Sequence, residues 1–240
     1  MKTLLIIPAY NEEENIEKVC HTIEAYNQTA ENPVDYVVID DGSQDATLQI
    51  LEKNHFHHIH LISNLGIGGA VQTGYKYAFE NHYDIAIQFD GDGQHDIAYV
   101  PIICKPILEG KANMCIGTRY LDKSVSHFQS TFMRRLGSNI ISFMIKCLCH
   151  HPITDPTSGF RAVDSSIIAE FAKEYPTEYP EPESTVTILM KGYIVTEEPV
   201  NMKERQGGKS SINVWKSADY MIKVCLAIVL DSIHLKKRRK

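Results

Sequence analysis

Short apolar runs rich in β-branched residues recur along the first half of the chain, at Thr3–Ile7, Tyr36–Ile39, Ile59–Ile62, Ile85–Phe89 and Met114–Ile116. Between them lie longer stretches whose apolar positions repeat at helical spacing. Strands alternating with helices in this way build a mainly parallel central sheet flanked by helices, an α/β fold. In such sheets ligands gather beyond the carboxyl ends of the strands. Here those positions are polar: Ala9-Tyr10-Asn11-Glu12 follows the first run, Asp40-Asp41-Gly42-Ser43 the second, Asn64-Leu65-Gly66 the third and Asp90-Gly91-Asp92-Gly93-Gln94 the fourth.

Beyond Arg119 the alternation loosens. A helical stretch is expected from Phe128 to Cys149, then a loop Asp155–Arg161 and a Pro/Glu-rich segment from Tyr175 to Glu183. This half is expected to cover the site and to choose the acceptor. A last helix, from about Asn213 to Leu235, has an apolar centre Val224–Leu230 but is interrupted by Asp219, Lys223 and Asp231. It falls short of the ~20 apolar residues that a spanning helix needs. Its amphipathic face suits a membrane surface or a partner helix, and packing on the core fits equally well. The expected organisation is a catalytic domain over residues 1–212, with a donor half over about 1–120 and an acceptor half over about 121–212, then an amphipathic helix and basic tail over 213–240.

Charge adds to this picture. The 24 Lys and Arg against 30 Asp and Glu give a net charge of −6, but five of the cations are Lys236–Lys240, so residues 1–235 hold 19 against 30, or −11. An acidic body argues against a nucleic-acid surface, whereas the terminal cluster is suited to an anionic membrane. The six cysteines are scattered without CxxC spacing and read as reduced thiols of a cytosolic protein. The amino-terminal apolar run stops at Pro8 and an acidic stretch, so no signal peptide is expected. The expected location is cytoplasmic, with peripheral attachment to the cytoplasmic face of a membrane.

The candidate chemistry lies at the strand ends. Asp90 and Asp92 emerge one residue apart on a turn that Gly91 makes possible, a pattern suited to Mg²⁺ or Mn²⁺, with Gln94 as a neutral oxygen ligand. Asp40 and Asp41 are placed to accept hydrogen bonds from a base or ribose. Pro8, Tyr10 and Glu12 offer an aromatic face and a carboxylate for the same nucleoside. Asn64 to Gly69 resembles a glycine-rich phosphate loop but matches neither a Walker motif nor GxGxxG, which disfavours a kinase or dehydrogenase. Arg119 and Arg205 are cations in an acidic chain, suited to an anionic substrate.

With these segments assembled, the sequence resembles a family 2 glycosyltransferase of the GT-A fold, most similar to the branch containing dolichyl- and polyprenyl-phosphate sugar synthases. PAYNEEENI, VIDDGSQDAT, FDGDGQHD, GTRY, DPTSGFRA and ERQGGKSS carry the resemblance, in the family's order, from residue 2 to about 212. The resemblance implies a nucleotide diphosphate sugar held by the first half, with Asp90, Asp92 and Gln94 at a divalent metal. It implies an acceptor, a lipid phosphate or a glycan, engaged by Arg119 and by Ser158, Arg161, Arg205, Lys209 and Ser210 of the second half. The family's acidic position before the last strands falls at Glu183, a general base if the acceptor is a hydroxyl. Lipid access would then rest on the final helix, a membrane surface or a small membrane-protein partner. The expected reaction moves a hexosyl group with inversion, preferably to a polyprenyl phosphate. Transfer to a sugar hydroxyl in cell-surface polysaccharide synthesis, nucleotidyl transfer, and a glycan-binding scaffold on an inactive transferase fold are the rival readings.

Overall fold

The structure, a computed structural model, describes residues 1–122, 132–202, 221–230 and 232–233. Among the described residues seven strands form one sheet: β1 (Thr3–Ala9), β2 (Asp35–Asp40), β3 (His58–His60), β4 (Ile85–Gln88), β5 (Met114–Thr118), β6 (Arg161–Asp164) and β7 (Val195–Pro199), in the order β3-β2-β1-β4-β6-β5-β7. All neighbours are parallel except β6, which runs antiparallel to β4 and to β5. The continuous apolar runs follow from this, because a strand covered by helices on both faces has no solvent side. Leu4 and Ile6 of β1 enter one core layer and Leu5 and Ile7 the other, all fully buried.

Helices α1 (Ile16–Thr29), α2 (Thr47–Lys53), α3 (Gly66–Glu80) and α4 (Val100–Leu108) connect the first five strands. The remaining helices are α5 (Phe132–Cys149), α6 (Ser165–Lys173) and α7 (Pro180–Lys191), and residues 221–230 are also helical. The segments expected to form the acceptor half share the donor half's sheet, since β6 lies between β4 and β5. The described part of the helix expected from Phe128 begins at Phe132.

The Pro/Glu-rich segment is not a plain breaker. Pro180 and Pro182 sit in the first turn of α7 with Glu181 and Glu183. Proline is tolerated there because the first N–H groups have no intrahelical partner, and carboxylates are favoured by the positive end of the helix dipole.

Two glycines of α3 serve close packing. A Cβ on Gly68 would lie 2.3 Å from the Pro176 carbonyl oxygen and 2.6 Å from Thr177 Cα, and one on Gly74 would lie 2.1 Å from Ile6 Cγ2. Only a bare backbone lets α3 approach β1 and the 176–177 loop this closely.

Candidate active site

The sheet's chain order reverses between β1 and β4, with β2 on one side of β1 and β4 on the other. That is where an open α/β sheet leaves a crevice at its carboxyl edge. A cavity of about 430 Å³ opens there, bounded by Pro8, Tyr10 and Glu12 at and after the end of β1, Asp41 after β2, Asn64, Gly66, Ile67 and Ala70 around the start of α3, Gln88, Asp90, Gly91 and Asp92 at and after the end of β4, and Glu181 of α7. Its size is that of a small-molecule site. Among the described residues that line it, Glu12, Asp41, Asp90, Asp92 and Glu181 are carboxylates and none is Lys or Arg.

The Asp90-Gly91-Asp92 turn is held firmly. A Cβ on Gly91 would lie 3.0 Å from the Pro8 carbonyl oxygen, so the turn is pressed against the end of β1. Asp92 Oδ1 accepts a hydrogen bond from the Gln94 backbone N–H at 3.0 Å. The Asp90 backbone N–H donates to His95 Nδ1 at 2.9 Å, which leaves the ring proton on Nε2, 3.5 Å from Asp90 Oδ2. Burial pushes this imidazole down to about 4, and its ring stacks on Phe160 at 4.7 Å. His95 therefore anchors Asp90 as a neutral partner.

Two carboxylates on one turn suit a hard divalent cation. Among the described residues no three His, Cys, Asp or Glu side chains gather into a ready-made metal site. A cation at Asp90 and Asp92 would therefore complete its shell with water and with oxygens of a phosphate-bearing ligand, which is the habit of Mg²⁺ and Mn²⁺.

At the β2 end the two neighbouring aspartates part company. Asp41 lines the cavity and its Oδ1 accepts from the Leu65 N–H at 2.7 Å, and burial raises its carboxyl above the ordinary range. Asp40, expected to bind the donor, is fully buried instead, with its oxygens on His60 Nδ1 at 2.7 Å and the Ser43 N–H at 3.1 Å. It shapes the turn and does not face the cavity. The loops after β1 and β2 are laced together, with Asn11 Oδ1 accepting from the Gln44 N–H at 2.8 Å and Glu13 Oε2 from the Ala46 N–H at 2.9 Å. Gly69 lies outside the cavity wall, its missing Cβ leaving room for Leu65.

The arginines divide likewise. Arg119 makes a bidentate pair with Asp155, Nε to Oδ2 and Nη2 to Oδ1 both at 2.7 Å, and its side chain is only 8% exposed. Asp155 is in turn fixed by Glu197, whose carboxylate accepts from the N–H groups of Thr154 and Asp155 at 2.8 to 2.9 Å. Arg161, expected at the acceptor, is fully buried and donates to the carbonyls of Ser158 at 2.6 Å and Glu181 at 3.0 Å. Ser158 is buried too, with its hydroxyl donating to the Gly117 carbonyl at 2.6 Å. Both are scaffold, tying the 158–161 loop to β5 and to the first turn of α7. Arg205, Lys209 and Ser210 lie outside the described residues.

Glu181, not Glu183, reaches the cavity. Two residues along a helix are about 200° apart, so only one of the pair can face it. Burial, with a smaller push from Asp90, raises the Glu181 carboxyl above the ordinary range. Sequence reasoning passed over Gln88, His95, Asp155, Glu181 and Glu197. Gln88 did leave a signal, as a polar residue ending an otherwise apolar buried strand.

Comparison with known proteins meets this geometry. Residues 4–171 match the family model described as glycosyl transferase family 2. The chain belongs to this family. Among curated relatives, a UDP-N-acetylglucosamine–dolichyl-phosphate N-acetylglucosaminyltransferase of Methanococcus voltae is 30% identical over 78% of this chain and 79% of its own. A polyprenol monophosphomannose synthase of Mycolicibacterium smegmatis is 26% identical over 93% and 85%. Among solved structures, glucosyl-3-phosphoglycerate synthase from Mycobacterium tuberculosis with Mn²⁺, UDP-glucose and phosphoglyceric acid superposes with a TM-score of 0.70 at 15% identity, covering 96% of this chain and 79% of that one. That likeness establishes the GT-A fold. The protein is thus a glycosyltransferase enzyme, and the cavity at the carboxyl edge is its candidate donor site.

Proposed function

We propose that this glycosyltransferase moves a hexosyl group from a nucleotide diphosphate sugar to a polyprenyl phosphate, with inversion at the anomeric carbon. The observation that carries the donor side is the Asp90-Gly91-Asp92 turn at the chain-order reversal, inside a cavity of nucleotide-sugar dimensions. Asp41, Tyr10 and Glu12 are assigned to the nucleoside. Asp90 and Asp92 would hold Mg²⁺ or Mn²⁺, which when bound supplies Lewis-acid stabilisation of the charge that develops on the departing diphosphate. The protein itself fixes the two carboxylates through His95 and the Gln94 backbone N–H. Attack from the face opposite the leaving group inverts the anomeric centre in a single displacement.

The lipid side of the reading rests on two adjacent helices. Helix α5 exposes Leu136, Ile140 and Phe143, the last by 67%, and helical residues 221–230 expose Ile222 by 69% and Leu226 by 57%. These positions recur three to four residues apart, so each helix carries an apolar stripe. Gly137 of α5 lies against Met221, which places the helices side by side. In a chain of net charge −6, α5 and residues 221–230 contain no Asp or Glu, whereas Arg135, Lys146 and Lys223 are cationic. Apolar stripes flanked by cations suit the headgroup region of an anionic bilayer. Among the described residues no helix is long and apolar enough to cross a membrane. The reading is therefore peripheral attachment, on the cytoplasmic face where the nucleotide sugar is found. The two named relatives that use dolichyl and polyprenol carriers support the same acceptor class.

Glu181 favours a second reading, in which the acceptor is a sugar hydroxyl and this carboxylate takes its proton. A phosphate acceptor is already anionic and needs no base. Purified protein supplied with a nucleotide-sugar panel, Mn²⁺ and either a short polyprenyl phosphate or soluble glycans separates the two. The proposal predicts a sugar-phosphate-lipid product; transfer to glycan hydroxyls alone would replace it with the second reading.

A further inference from the structure

Glu197 of β7 lies outside the donor cavity, and its carboxylate is turned onto two residues of one loop. Oε1 accepts from the Thr154 N–H, the Thr154 hydroxyl and the Asp155 N–H, each at 2.9 Å, and Oε2 accepts from the Thr154 N–H at 2.8 Å. Burial raises the Glu197 carboxyl above the ordinary range, and these donors work against the rise. A half-buried carboxylate is a cost to the fold that such donors have to offset. Alignment of β7 does not require it, because the backbone register with β5 already sets Ile116 beside Glu197 and Thr118 beside Pro199. What the grip fixes is the segment that holds Arg119. Asp155 accepts from the Arg119 backbone N–H at 3.2 Å and takes the Nε and Nη2 edge of its guanidinium, both at 2.7 Å. A second strut meets one residue earlier on each side, where the Thr118 and Thr154 hydroxyls lie 2.9 Å apart.

We infer that Glu197 is a positioning residue: through the 154–155 backbone and Asp155 it aims the Arg119 guanidinium at the phosphate of the incoming acceptor. The inference rests on the phosphate-acceptor reading above and gives Glu197 no contact with substrate. A bidentate pair fixes the plane of a guanidinium, and with it the direction of the Nη1 end that the pair leaves out. The direction matters here, because Arg119 and Asp90 act on each other's charge and Arg119 acts on His95, both at the proposed metal turn. A functional group is held in place by the residues behind it, and a loose support costs activity before it costs the fold. Glutamine at 197 would take over the bonds of one oxygen only. Its NH₂ group would then stand against the Thr154 N–H, since an amide has one acceptor atom where a carboxylate has two.

One arm of the test needs no substrate. In protein carrying isotope-labelled arginine, the Arg119 Nε–H resonance is identified by its absence from Arg119→Lys. In Glu197→Gln that resonance should move, and its exchange with solvent should quicken several-fold. The kinetic arm uses a short polyprenyl phosphate, the nucleotide sugar that wild type prefers, and Mn²⁺. Glu197→Gln should raise the acceptor KM about tenfold, the scale of a slightly misplaced group, and leave the donor KM unchanged. In the Arg119→Lys background the same substitution should add nothing, because two residues acting through one group are not additive. An Arg119 resonance unchanged in position and exchange overturns the inference, as does full additivity in the double variant or an equal rise in both KM values. If Glu197→Gln does not fold, Thr154→Val, which removes the hydroxyl donor and keeps the carboxylate, carries both arms with the same expected signs. Wild-type constants in Arg119→Lys, or a wild type that uses no phosphate acceptor, would mean that the phosphate-acceptor reading has failed. The resonance arm still decides whether Glu197 holds Arg119, so the two failures are distinguishable.

Discussion

At the scale of single residues, the site is built on carboxylates whose neighbours decide what each can do. Asp40 and Asp41 are adjacent in sequence and differ in fate because one is consumed by His60 and Ser43 while the other borders the cavity. Asp155 shows the same logic beside Arg119. Its carboxylate is fully buried against the Arg119 guanidinium, so Asp155→Asn leaves a buried cation with a neutral partner. Removing one member of a buried pair costs about 3–5 kcal/mol. Urea denaturation of Asp155→Asn should show a loss of that order, and a change within experimental error would mean that solvent reaches the pair freely. The sequence marked Asp90, Asp92 and Arg119 by their place after strands. It could not reveal that Arg161 and Ser158 are interior, because a loop motif carries no record of which side chains turn inward.

At the scale of elements, alternation of apolar runs and helical spacing was enough to locate five strands and the mainly parallel character of the sheet. Strand β6 escaped it: Arg161–Asp164 is short, begins with a buried arginine and pairs antiparallel, so neither length nor pattern announced it. Helix α7 escaped for a different reason, since its prolines lie in the one turn of a helix that tolerates them. Helix α3 offers a test of element packing. Replacing glycine by alanine inside a helix ordinarily gains about 1 kcal/mol, but in Gly68→Ala the new methyl would meet backbone atoms of residues 176 and 177. Overpacking of this kind costs about 1–3 kcal/mol. A lower denaturation midpoint is expected, and a higher one would show that α3 stands further from that loop.

At the scale of the whole molecule, one edge of the sheet gathers the carboxylates of the candidate donor site, while α5 and residues 221–230 present apolar stripes. The stripe on the last helix was legible as an amphipathic pattern. The α5 stripe was not, because periodicity alone cannot say that Leu136, Ile140 and Phe143 are exposed among the described residues. Co-sedimentation with phosphatidylglycerol vesicles should drop several-fold for the Phe143→Ser, Leu226→Ser double variant, with binding of nucleotide sugar unchanged. Undiminished partitioning would remove these helices from the membrane account. The central claim is metal-assisted sugar transfer from the strand-end cavity, and the measurement closest to it follows labelled sugar and released nucleoside diphosphate in wild type and Asp92→Asn. The account predicts one diphosphate released per sugar transferred, with both products abolished by EDTA and reduced at least a hundredfold in Asp92→Asn. A near-normal rate in the variant, or release of pyrophosphate in place of the nucleoside diphosphate, would contradict it.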